Sequence, residues 1–180
     1  MIAVDGKSVH VASPQGSEIW TFASDAEARA KAAFVTEALT WVGTPFRDCG
    51  DVKGPNGAVD CAMLLVRASV DTGLLAPFDP RPYSPTHMLH SSEQHFLGWI
   101  QTRLGGRPVD APRFGDVAVW QFGRCFSHGG IVVNSHEFVH AYGHARLCLV
   151  SRLDEHPLRF AHLAGREFPR PVKYFDVWRN

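Results

Sequence analysis

Apolar positions recur at helical spacing in much of the first two thirds of the chain and in alternating or continuous strand-like runs after it. Ile2-Ala3-Val4 and Ser8-Val9-His10-Val11 flank Asp5-Gly6, a pair that suits a tight hairpin turn, and Glu18 to Phe22 adds a third short strand. Ser24-Asp25-Ala26-Glu27 is a capping box. The alanine-rich segment behind it, with Phe34, Val35, Leu39 and Trp41, predicts a helix that stops at Gly43-Thr44-Pro45. Residues 44 to 60 read as a loop, and an apolar helix follows from Cys61 to about Thr72-Gly73. Pro77, Pro80, Pro82 and Pro85 mark an extended stretch, and a further helical region lies between Ser91 and Leu104. From Asp116 onward the pattern predicts strands at Val117 to Phe122, His128 to Val133, Glu137 to Tyr142, Arg146 to Val150 and Tyr174 to Trp178. Helices first and strands later indicate an α+β layer architecture.

The junction of loop and helix at Asp60-Cys61 is the first place where this pattern carries chemistry. Asp60 suits the N-cap, which leaves the Cys61 thiol on the first turn, where unpaired backbone N–H groups favour a thiolate. Taken alone, a cysteine at the head of an apolar helix is more often packing than chemistry. Two strand histidines change the balance: His128 in Ser127-His128-Gly129-Gly130, and His140 in Phe138-Val139-His140-Ala141. If Asn134-Ser135-His136 is a three-residue hairpin loop, His140 lies opposite Gly130 and His128 opposite Tyr142, so both rings share one sheet face as diagonal neighbours. A two-residue loop would put them on opposite faces. Gly129 and Gly130 would leave room beside the ring for another backbone or a substrate. Nucleophile, base and orienting group are thus all present as candidates.

In order along the chain stand Thr44-Pro45-Phe46-Arg47, a glycine-containing loop to Asp60-Cys61, then Arg113-Phe114-Gly115-Asp116-Val117-Ala118-Val119, His128-Gly129-Gly130-Ile131-Val132-Val133 and Phe138-Val139-His140-Ala141. This series resembles the motifs of NlpC-type papain-like cysteine peptidases over about residues 35 to 150. The resemblance implies that Cys61 is the nucleophile, His128 the general base and His140 the polar third member that orients it. It also implies a helical half packed on a small antiparallel sheet. The pattern read above makes residues 1–23, which lie before this match, a short β extension of one domain spanning 1–180. The activity implied is cleavage of an amide bond in bacterial cell-wall stem peptides. The chain departs from the pattern at Ala62-Met63, where a small pair such as Ser-Gly is common, and at Phe46, where a tyrosine is frequent. The loop from Arg47 to Val59 is long and is similar to versions associated with phage tails. That loop and the stretch Pro77 to Pro85 are the expected walls of the substrate groove. Two other classes use the same residues: a phage-tail or envelope assembly protein that acts by contact, with tail components as partners, and an acyltransferase with a non-water acceptor.

Composition narrows the rest. A chain of 180 residues, 45% of them hydrophobic, has enough material for one well-buried core. Eighteen basic and eighteen acidic residues cancel, so no global field draws it to nucleic acid or an anionic membrane. The N-terminal residues lack the basic and apolar regions of a secretory signal, and no apolar run reaches membrane-spanning length. These features predict synthesis in the cytoplasm, with a phage particle as the route outside. Cys49, Cys61, Cys125 and Cys148 are irregularly spaced and read as reduced thiols. His87, His90 and His95 raise the question of a metal, but there is no Cys-x-x-Cys or His-Glu-x-x-His, so no metal or other cofactor is expected and most of these histidines are assigned to solvated helix surface. Asp116 is read as a turn residue entering the sheet.

Overall fold

The computed structural model describes residues 1–154, 156–163 and 166–178. Strands β1 (Ile2–Asp5), β2 (Ser8–Ser13) and β3 (Gly16–Thr21) form a small antiparallel sheet of their own. Gly6 takes a positive φ of 54° in the first turn, which the Asp5-Gly6 pair anticipates. Val9 and Val11 are buried against the first helix, so this sheet is packed onto the main core and is not part of the larger sheet. Helix α1 (Asp25–Leu39) is capped by Ser24, whose hydroxyl accepts from the Glu27 N–H at 3.1 Å. The Glu27 carboxylate reaches back to the Ala23 N–H at 3.0 Å, one residue before the cap.

The long loop after α1 carries a two-residue hairpin, β4 (Asp51–Val52) with β5 (Ala58–Val59), and leads into α2 (Cys61–Asp71). The proline-bearing segment that follows leads to one short helical turn, α3 (His87–His90), between the stretch Pro77 to Pro85 expected to be extended and the helical region expected from Ser91. It passes into α4 (His95–Thr102). Then come β6 (Arg107–Val109), β7 (Val117–Phe122), β8 (Cys125–Val132), β9 (Glu137–Tyr142) and β10 (Leu147–Arg152). A short helix α5 (His156–Arg159), the hairpin β11 (Phe160–Leu163) with β12 (Arg166–Pro169), and β13 (Val172–Asp176) end the described chain. The central sheet has the order β10-β9-β8-β7-β13-β6, and every pairing in it is antiparallel.

Helix α2 lies against β8, and the main core fills the space between helices and sheet with Phe34, Trp41, Met63, Leu64, Leu65, Ile100, Phe114 and Ile131. A second apolar cluster, Ala118, Trp120, Val132, Phe138 and Leu158, covers other positions of the same strands. Gly129 sets the approach of helix to strand. A Cβ there would stand 2.8 Å from both Leu65 of α2 and Phe96 of α4, so any larger residue would push these side chains aside. Gly130 is likewise enclosed by Phe138, Val139 and His140. The space expected beside these glycines is therefore filled by the fold's own packing and is not open to substrate.

One buried ion pair ties the layers together. Lys31 of α1, 3% exposed, places its ammonium 2.6 Å from Asp116 at the head of β7 and 2.9 Å from Asp176 at the end of β13. Asp116 also accepts from the Arg113 N–H at 2.9 Å, so it closes the expected turn and anchors the helix in addition. Gly115, at φ 78°, makes room for the Lys31 stem, whose Cβ lies 2.9 Å from where a side chain would begin.

Candidate active site

Asp60 builds the nucleophile's end of the site. It caps α2, accepting from the Met63 N–H at 2.8 Å through one oxygen, while the other accepts from the Cys49 N–H at 2.7 Å and the Tyr83 hydroxyl at 2.6 Å. Loop, helix and proline-bearing segment are thereby pinned at one carboxylate. Burial raises the pKa of this group, and the three hydrogen bonds oppose the rise. Tyr83 was not among the residues expected at the site. It places a phenol in the cavity that Phe46 also lines, on a segment whose prolines, but not whose tyrosine, marked it as a groove wall.

The thiol sits against the backbone on both sides of His128. Cys61 Sγ is 3.8 Å from the Ser127 carbonyl oxygen, and the Gly129 N–H points at the sulfur. Ser127 occupies a β-bulge: Trp120 pairs with His128 and Gln121 with Phe126, which leaves Ser127 without an opposite residue in β7. Burial pushes the Cys61 thiol up to about 12, and the Asp60 carboxylate adds to the rise. The N–H groups of Gly129, Cys61 and Ala62 favour the thiolate but do not prevail. The helix start therefore supplies the stabilisation expected of it, and desolvation with a neighbouring carboxylate outweighs it in the substrate-free protein.

The histidines meet as a three-residue loop requires. Ile131 pairs with Val139 and Val132 with Phe138, and continuing that register sets Gly130 against His140 and His128 against Tyr142. His128 Nε2 and His140 Nδ1 are 2.8 Å apart, and His140 Nε2 is 3.0 Å from Ser151 Oγ on β10. His128 is 8% exposed, while His140 is fully buried. Burial drives the His128 imidazole down to about 3, with the charges of Arg170 and His144 acting in the same direction, and burial with the neighbouring His128 drives His140 down to about 2.

Two neutral rings can share this chain of hydrogen bonds in one useful order. His128 donates its Nε2–H to His140 Nδ1, and His140 donates its Nε2–H to Ser151 Oγ. His128 Nδ1 is then the basic nitrogen, free to take a proton. Ser151 is the member that sequence did not reveal, because its value depends on β10 pairing beside β9. The ring pair is further enclosed by Trp120, Phe122, Phe138 and Tyr142, with His128 edge-on to Phe122 at 5.3 Å between centroids. Arg170 lies over the Phe122 ring, 3.8 Å from its centroid.

Cys61 and His128 both line a groove of about 950 Å³. Its walls include Phe46, Phe78, Phe96, Trp99 and Phe126, with Pro80, Pro82 and Pro85 from the proline-bearing segment. Of the loop from Arg47 to Val59, Asp48 lines the groove, Cys49 and Asp51 are held by Arg81 of the proline-bearing segment, and Lys53 pairs with Glu37 of α1. The expectation that this loop walls the groove is thus corrected to Asp48, since the β4–β5 hairpin lies outside the lining.

A neutral thiol beside a neutral imidazole predicts a particular pH profile for Cys61. Alkylation by iodoacetamide is expected to rise about tenfold per pH unit between pH 6 and 9, following the small thiolate fraction of a group with a raised pKa. Peptide mass spectrometry reads the rate at each cysteine, with the buried Cys125 and Cys148 as internal references. A rate already level below pH 6 would mean a preformed thiolate-imidazolium pair.

No protein-family model and no curated protein matches the chain. Solved structures do. NlpC2 from Trichomonas vaginalis is 12% identical, with 97% of this chain and 58% of that one covered and a TM-score of 0.54. NlpC1 from the same organism is 13% identical, with 94% and 54% covered and a TM-score of 0.52. The peptidoglycan hydrolase RipB from Mycobacterium tuberculosis is 20% identical, with 86% and 67% covered and a TM-score of 0.51. The chain spans less than two thirds of the length of the two NlpC proteins. At these identities the likeness is one of fold, and the fold is the NlpC-like α+β arrangement.

Proposed function

We propose that the chain is a cysteine hydrolase that cleaves an amide bond in bacterial cell-wall stem peptides, with Cys61 as nucleophile, His128 as general base and acid, and His140 as orienting group. The observation that carries this reading is the hydrogen-bonded row His128, His140 and Ser151, whose first ring shares a groove with a helix-start thiol packed against the backbone flanking it. The stem-peptide substrate is supported by the fold shared with RipB, which is a peptidoglycan hydrolase.

In the first half-reaction His128 Nδ1 takes the Sγ proton as sulfur attacks the carbonyl carbon; the C–S bond forms and the carbonyl π pair moves to oxygen. With a neutral resting pair, proton transfer accompanies attack. The N–H groups of Cys61 and Ala62, which lie beside the sulfur and are left over by the Asp60 cap, serve as donors to the developing oxyanion. Collapse breaks the C–N bond, and the imidazolium gives its proton to the departing amine. Water then attacks the thioester, with His128 again as base, releasing the carboxylic acid and restoring the thiol. His140 stays neutral throughout and holds the Nε2–H of His128, so that Nδ1 is always the reacting nitrogen.

A thioester-forming acyltransferase is the second reading, favoured by the aromatic lining of the groove, which suits an apolar acyl group and keeps water scarce around the acyl-enzyme. Incubation with tri-, tetra- and pentapeptide stems, read by mass spectrometry beside a Cys61→Ala control, separates the two. Cleavage by the wild type alone is the expected result. A thioester mass on Cys61 that persists until an amine or alcohol acceptor is added would turn the assignment to transfer.

A further inference from the structure

The groove is short of positive charge for an anionic peptide. Among the described residues that line it there is no lysine or arginine, whereas Asp48, Asp60, Asp79 and Glu93 are all present. On the same lining, the turn that follows α3 brings His87 back onto Glu93 and His95. Their ligand atoms all lie within 4.8 Å of one another. Glu93 accepts from His95 Nε2 at 2.8 Å, the Glu93 carbonyl oxygen is 3.1 Å from His87 Nε2, and the two imidazole centroids are 4.7 Å apart.

We infer that His87, Glu93 and His95 form a divalent-cation site on the rim of the groove, with zinc as the metal that the donor set suits. Two imidazoles and one carboxylate are a zinc ligand set that leaves a fourth position open. Zinc–nitrogen and zinc–oxygen bonds of roughly 2.0–2.1 Å place tetrahedral donors about 3.3–3.5 Å apart. The His95–Glu93 contact is already shorter than that spacing, and rotations of the exposed Glu93 and His95 side chains toward the half-buried His87 close the rest. In binding, the metal takes the place of the His95–Glu93 hydrogen bond. Sequence spacing hides this site because only Glu93-x-His95 is a close pair. His87 joins it through the turn between α3 and α4.

The site also answers the charge deficit, since a cation there faces the cavity that Cys61 lines and offers its open position to a substrate carboxylate. That last role rests on the stem-peptide reading; metal binding does not. The test uses the full chain without substrate. Co²⁺ is titrated and followed by its d–d absorption, then displaced with Zn²⁺. Wild type is expected to bind one equivalent with a four-coordinate spectrum and no thiolate charge-transfer band. His87→Ala, His95→Ala and Glu93→Gln should each weaken binding on the order of tenfold or more, because loss of a direct ligand costs at least what loss of an outer-shell partner costs. His90→Ala, an exposed neighbour, should leave affinity unchanged. Circular dichroism confirms that each variant is folded. Absence of binding to the wild type, or equal binding by the His87→Ala/His95→Ala double variant, would overturn the proposal. So would a charge-transfer band that disappears in Cys61→Ala, since it would place the metal on the nucleophile.

Discussion

His128→Ala is expected to lower turnover of a cleavable stem by roughly 10²–10⁴-fold, the range lost when a general base is removed, and Cys61→Ala to lower it further by removing the nucleophile itself. The groove should survive both changes, because most of its aromatic and proline walls, Phe46, Phe78, Phe96, Trp99 and the prolines among them, come from other segments. His140→Ala should fall between wild type and His128→Ala: it frees the His128 ring to take the wrong tautomer and strands Ser151. His140→Asn, which keeps a polar partner near His128, should be milder. Steady-state kinetics on one stem, with iodoacetamide labelling of Cys61 as a parallel readout, distinguishes loss of the base from loss of the fold. If His140→Ala changed neither turnover nor labelling, His144, which also lines the groove, would take its place as the orienting candidate.

Lys31→Met should cost about 3–5 kcal/mol of stability, the range for breaking a buried ion pair by removing one partner. Methionine replaces the stem of the side chain but not its charge, so Asp116, 1% exposed, is left buried without its counterion. Asp176 is less affected, because Arg107 reaches it at 2.7 Å and it is 19% exposed. Urea denaturation should show a lower midpoint with an unchanged slope, and thermal melting a drop of roughly 10 °C. Lys31→Met/Asp116→Asn should recover part of the loss by removing the stranded charge. A cost below about 1 kcal/mol would mean the pair behaves like an exposed one and is not a tie between α1 and the sheet.

The local signals were legible because they act through neighbours in the chain. Ser24 and Asp60 cap helices through backbone N–H groups three residues on, and Asp5-Gly6 turns a hairpin through its own dihedral preference. The strands Val117–Phe122 and Glu137–Tyr142 have the bounds that their apolar runs predict. The register of β8 on β9 follows from the length of one loop, and so places His128 beside His140. The order of helices and strands announced an α+β protein for the same reason: side-chain period is a property of a few consecutive residues.

What only the tertiary structure decided are the relations between residues far apart in the chain. Lys31 and Asp116 stand 85 positions apart, and no periodicity links a helix lysine to the turn that ends beneath it. Ser151 joins the histidine row because β10 lies next to β9, and Tyr83 reaches Asp60 because the proline-bearing segment folds over the helix start. The protonation state of the nucleophile belongs here as well. The sequence placed Cys61 where backbone N–H groups favour a thiolate, but how much water remains around the sulfur depends on the segments that close over it, and in this fold desolvation prevails. Capping, turn and strand preferences are short-range energies written in adjacent residues, whereas burial, long-range ion pairs and assembled ligand sets exist only after the chain has brought distant residues together.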